Sequence, residues 1–90
     1  MYKLVYSNRF KRDVQLALKR GKTLDKLTHV VEILCAGKTL PRQYQDHPLS
    51  GTYAGFRYCH IEPDWILIYR IENNQLQLIL ARTGTHSDLF

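Results

Sequence analysis

The spacing of apolar positions along this chain changes from two to about 3.6 and back to two. Tyr2-Lys3-Leu4-Val5-Tyr6 alternates and predicts a short strand. Ser7 then offers an N-cap, and Phe10, Val14, Ala17 and Leu18 share one helical face, which Gly21 ends. Thr23 is the expected cap of a second helix, striped by Leu24, Leu27, Val30 or Val31, and Leu34, up to Gly37. A tight turn between the two makes a helical hairpin. Lys38 to Gly55 carries Pro41, Pro48, Gly51 and Gly55 and reads mostly as loop. Three strands are expected after it. They are Phe56–Ile61, ended by Pro63; the nearly all-apolar Trp65–Ile71, which should be central; and Gln75–Arg82, reached through the turn Glu72-Asn73-Asn74. The short connections predict an antiparallel meander. The expected fold is α+β, in the order β-α-α-β-β-β, as one domain over residues 1–90 with the hairpin on one sheet face. The other face, or its rim, is left for function.

Charge sharpens this picture. The net charge is +5, but residues 1–42 hold ten Lys or Arg against Asp13, Asp25 and Glu32. Residues 43–90 hold only Arg57, Arg70 and Arg82 against five acids, together with His47, His60 and His86. A basic first half suits a polyanion such as nucleic acid, or is simply a solvated helical surface. The longest apolar run, Trp65-Ile66-Leu67-Ile68-Tyr69, is far too short to span a membrane, and no export signal precedes it. Cys35 and Cys59 therefore read as reduced thiols of a cytoplasmic protein.

Three segments could carry chemistry. Asp46-His47-Pro48-Leu49-Ser50-Gly51 lies in the loop, and His60-Ile61-Glu62-Pro63-Asp64-Trp65 spans a turn. The tail, Arg82-Thr83-Gly84-Thr85-His86-Ser87-Asp88-Leu89-Phe90, puts an arginine, a histidine and a final aromatic in nine residues, which is odd for a frayed end. A purely structural account is open for each: Arg82 paired with an acid, Leu89 and Phe90 plugging the core edge, Trp65 packed at a strand start. No C-x-x-C, H-x-x-x-H or His-Glu-x-x-His spacing occurs, and no phosphate loop, so no metal or cofactor is expected.

These motifs, with Gly55-Phe56-Arg57 ahead of His60 and Leu67-Ile68-Tyr69 after Trp65, closely resemble the YafQ branch of the RelE/ParE toxins over nearly the whole chain. The resemblance implies a RelE-like fold and a bacterial type II toxin, a ribosome-dependent endoribonuclease that cuts mRNA during translation. It also implies neutralisation by a DinJ-like antitoxin. The family's site positions fall on His47, His60, Asp64, Trp65, Arg82, His86 and Phe90. Metal-free RNA cleavage by the ribose 2′-oxygen needs a base, an acid and a cation for the phosphorane. His86 is then the expected acid and Arg82 the cation. His47, His60 and Asp64 form the base side, with Asp64 either orienting an imidazole or taking the proton itself. Trp65 and Phe90 would stack on or position a base. Arg57 is read as one half of a structural pair. Two other classes compete: a ParE-type toxin that poisons DNA gyrase without catalysis, and an RNA-binding module with no chemistry.

Overall fold

The computed structural model describes residues 1–90. Its elements are β1 (Lys3–Tyr6), α1 (Asn8–Lys19), α2 (Asp25–Cys35), β2 (His47–Pro48), β3 (Arg57–Glu62), β4 (Trp65–Glu72), β5 (Gln77–Gly84) and α3 (His86–Leu89). The sheet order is β1-β5-β4-β3-β2, antiparallel except where β1 runs parallel to β5. The hairpin carries the chain from β1 at one edge to β2 at the other, and the β3–β4–β5 meander then brings β5 back beside β1, running parallel to it.

The expected α+β order is found, with four local differences. His47–Pro48 lies in the segment expected to be loop, yet it adds an edge strand to β3. α2 begins at Asp25 after Leu24, which makes no side-chain cap, so Thr23 does not cap it. β5 begins at Gln77, because the turn extends to Leu76 at φ +53°. Finally, a short helical turn, α3, closes the chain where only a tail was expected.

The hairpin covers one sheet face. Phe10, Ala17, Leu27, Val30 and Leu34 meet Cys59, Leu67, Tyr69, Leu78 and Leu80 in the main core. Leu18 sits at the rim of that stripe and stays 49% exposed. The other face holds a smaller cluster of Ile66, Ile68 and Leu89, lined by Leu49, Tyr53, Phe56, Tyr58 and Ala81. β4 alternates between the two clusters and is buried on both faces, as a central strand should be.

Polar contacts dock α1 onto β5. The Ser7 hydroxyl accepts from Phe10 N (2.9 Å) as the N-cap and donates to the Ala81 carbonyl (2.7 Å). Ala81 is the extra residue where the β4–β5 register shifts at Ile68/Tyr69. Asp13 completes the docking by accepting from Thr83 N (3.1 Å) and from the Arg82 guanidinium.

Candidate active site

The open face of β3 is built by its period of two. Tyr58 and His60 point to the face that Cys59 avoids, and β2 brings His47 opposite Tyr58. The His47 and Tyr58 rings meet at 4.0 Å between centroids, and Tyr58 and His60 at 5.5 Å. His60 lies 5.6 Å from His86, and Phe90 closes the ring of contacts to His86, Tyr58 and Tyr53 at 6.0–6.3 Å. His47 and His60 thus flank Tyr58, and His86, from a third segment, joins them through His60 and Phe90. The sequence motifs pass over Tyr58, though its place two residues before His60 on a strand puts both on one face.

Each histidine is held by its neighbours. Asp46 fixes the β2 loop by accepting from the Tyr69 hydroxyl (2.5 Å) and twice from Arg57 (3.3 Å each), so Arg57 is the structural partner expected. Gln45 adopts a left-handed backbone at φ +50°, and its carbonyl accepts from His47 Nδ1 at 2.6 Å. A non-glycine residue tolerates that conformation only where its surroundings enforce it. In the neutral His47 ring this bond leaves Nε2 as the lone-pair nitrogen. His60 Nδ1 is buried without a hydrogen-bond partner. Burial, and then the nearby His86 and His47, lower the His60 pKa below 6.5, while the Tyr44 backbone opposes this without closing a hydrogen bond. His60 is therefore neutral at pH 7.

His86 rides on α3, which is locked despite its length. Thr85 and Asp88 exchange hydrogen bonds as a capping box, at 3.1 and 3.0 Å. Arg20, at the end of α1, donates to both Asp88 oxygens at 2.6 and 3.2 Å. Gly84 makes room here, because a Cβ at that position would crowd the Asp88 side chain at 3.0 Å. The Leu89 side chain anchors the turn against Ile66 and Ile68. Asp64, in the β3–β4 turn, accepts from His86 N (3.0 Å) and from His86 Nδ1 (2.8 Å) through the same oxygen. These His86 bonds lower the Asp64 pKa below 3.8, so the carboxylate is ionised and unsuited to carrying a proton at pH 7. Its geometry is that of a group that orients the His86 ring, leaving Nε2 without a protein partner.

Two expectations change. Trp65 is 3% exposed in the hairpin-side core, and its indole N–H donates to the Thr83 hydroxyl at 2.9 Å. A ring buried on that face cannot stack on a nucleobase, so Trp65 is a core residue. Arg82 is paired with Asp13 at 2.7 and 3.1 Å through Nε and Nη2. That pair uses only Nε and Nη2 of the guanidinium, and the Tyr53 side chain lies within reach of what remains. Arg82 sits beside Tyr53, which touches Phe90, at the edge of the histidine face. No group of three or more His, Cys, Asp or Glu side chains is set around a common metal position.

An imidazole held by a carboxylate, a neutral second imidazole beside it and an aromatic rim make an acid–base site on a small α+β scaffold. The whole chain from residue 2 to 90 matches the model of the family described as "Bacterial toxin of type II toxin-antitoxin system, YafQ", and the protein belongs to that family. It is 45% identical over 86 residues to the mRNA interferase toxin YafQ of Escherichia coli K12, covering 94% of this chain and 91% of the relative. A metal-bound toxin from Helicobacter pylori superposes with a TM-score of 0.94 at 39% identity, over 100% of both chains. The toxin of the E. coli DinJ–YafQ complex superposes at 0.91 with 43% identity, over 100% of this chain and 99% of that one.

Proposed function

We propose that this protein is the toxin of a type II toxin–antitoxin pair, an endoribonuclease that cuts mRNA on the translating ribosome by acid–base catalysis. The observation that carries the reading is the placement of His86, oriented by Asp64 at 2.8 Å, beside the neutral His60. His60, with His47 beyond Tyr58, takes the proton from the ribose 2′-hydroxyl. The 2′-oxygen attacks the adjacent phosphorus, forming a 2′,3′-cyclic phosphate, and His86 Nε2 protonates the departing 5′-oxygen. Asp64 supports the imidazolium form of His86 until that proton leaves. Arg82 offers Nη1 to the charge building on the phosphoryl oxygens. Phe90, 61% exposed, supplies the surface on which a base stacks.

An activity on ribosomes and mRNA is one exerted in the cytoplasm. No helix is long and apolar enough to cross a membrane. Residues 1–90 act as a single domain. A DinJ-like antitoxin neutralises the toxin, and an acidic segment that folds on contact suits a chain of net charge +5. Incubation with translating ribosomes, followed by mapping of new mRNA 5′ ends, tests the reading. New ends bearing 5′-hydroxyls are expected, and they should persist with a chelator at a level that leaves ribosomes intact. Ends bearing 5′-phosphates point to a metal-activated water and overturn it. No new ends, with gyrase inhibited, returns the ParE-type alternative.

A further inference from the structure

The basic first half of the chain is less uniformly free than its sequence implies. Lys22 and Lys26, two cations of the basic first half, both pair with Glu62. Arg20, Arg57 and Arg70 pair with Asp88, Asp46 and Glu72. Arg9 and Arg12 stand apart. They lie one turn apart on the exposed side of α1, pair with no carboxylate, and wall a pocket of about 280 Å³ with Asp13 and Arg82. Three guanidiniums meet a single carboxylate there. Asp13 is largely committed, because its two oxygens accept from Arg82 Nε, Arg82 Nη2 and Thr83 N at 2.7–3.1 Å. It forms no ion pair with Arg9 or Arg12, and its single charge cannot neutralise three guanidiniums. The adjoining groove shares Arg9 and Arg82 and runs along Ser7, Asn8 and Thr52 to Tyr53. Tyr53 in turn packs against Phe90 at 6.2 Å, and Phe90 against His86. A continuous surface thus leads from the catalytic histidine to an under-neutralised arginine pocket.

We propose that Arg9 and Arg12, with Arg82, form a second phosphate site that holds the mRNA backbone next to the scissile phosphodiester. This rests on the endoribonuclease reading. The site takes the phosphodiester of a single RNA strand, since guanidinium forks match phosphate oxygens and the pocket shares Arg9 and Arg82 with the groove that leads to Tyr53. Its continuity with the aromatic rim favours the cleaved strand over ribosomal RNA. Asp13 is a positioning residue: its bonds to Arg82 and Thr83 set the guanidinium against β5 while α1 presents the other two.

Salt dependence of binding to a fluorescent single-stranded RNA oligonucleotide tests the site. Each lost phosphate contact on a single strand reduces the slope of log affinity against log salt by about 0.7. Arg9→Gln/Arg12→Gln should therefore flatten the slope by about 1.4, so that a fourfold rise in salt costs the wild type roughly 7-fold more affinity than the variant. Arg9→Lys/Arg12→Lys should retain the wild-type slope. Lys38→Gln, which removes an unpaired charge elsewhere, should flatten it by no more than about half as much, about 0.7. Thermal melts confirm that each variant is folded. If the double glutamine variant flattens the slope no more than Lys38→Gln does, the site is wrong. Flattening seen with mRNA-free ribosomes but not with the oligonucleotide assigns the pocket to ribosomal RNA and overturns the choice of strand. A wild type that shows these slopes yet never cuts mRNA on ribosomes removes the endoribonuclease reading and leaves the phosphate site standing.

Discussion

Replacing His86 with glutamine separates chemistry from binding, and the structure sets the size of each effect. The ring is half exposed, bonds only Asp64, and otherwise touches His60 and Phe90 at 5.6 and 6.3 Å between centroids. Glutamine keeps the backbone bond from residue 86 to Asp64 and a side chain of similar reach, so affinity for ribosomes should scarcely change. It cannot deliver a proton near neutral pH. Loss of a general acid typically slows a reaction by about 10²–10⁴, or roughly 2.7–5.4 kcal/mol of transition-state stabilisation. Asp64→Asn should slow cleavage less, since the ring remains while its charged support goes. The decisive measurement is the double variant. If Asp64 acts only through His86, adding Asp64→Asn to His86→Gln costs nothing further. Single-turnover cleavage on translating ribosomes gives the rates, and sedimentation with ribosomes gives the affinities. A further drop of tenfold or so in the double variant would show that Asp64 moves a proton itself. Wild-type cleavage by His86→Gln would refute the acid assignment and pass it to His47 or His60.

Thr83→Val should be destabilising, because the buried Thr83 hydroxyl accepts from Trp65 Nε1 and donates to the Ile66 carbonyl at 2.9 and 2.7 Å. Orphaning those groups costs about 1–3 kcal/mol, which lowers Tm by roughly 5–20 °C in a domain of this size; an unchanged Tm by calorimetry would contradict it. Phe90→Ala should raise the substrate concentration for half-maximal cleavage about 5–150-fold, with little change in the saturated rate, if the exposed ring stacks on a base. Asp88 has its pKa held well below the usual carboxylate value by Arg20 and then by the Thr85 backbone. A depressed carboxylate pKa stabilises the fold fully above its unfolded value, near 3.8, and that contribution fades as pH falls toward the folded value. Melts of wild type and Asp88→Asn should therefore differ most at neutral pH and converge in strong acid. A gap that widens on acidification would reverse the sign.

What the sequence determined by itself was local. Period-two and helical spacings, the Ser7 cap and the breaks at Gly21, Gly37 and Pro63 fixed the β-α-α-β-β-β order, since each depends on neighbours a few residues away. The motifs around His47, His60, Asp64 and His86 marked the residues that the fold assembles on one face. Tertiary structure decided the partnerships, because these join groups far apart along the chain. Only folding shows that Asp64 binds His86 across 22 positions, that Asp13 binds Arg82 across 69, and that Glu62 draws in Lys22 and Lys26. It also decided the two aromatic assignments. Trp65 and Phe90 are equally plausible as stacking rings in a motif, but β4 turns Trp65 into the hairpin core while α3 leaves Phe90 at the surface. Which face a strand residue takes follows from register, and register is set by the whole sheet.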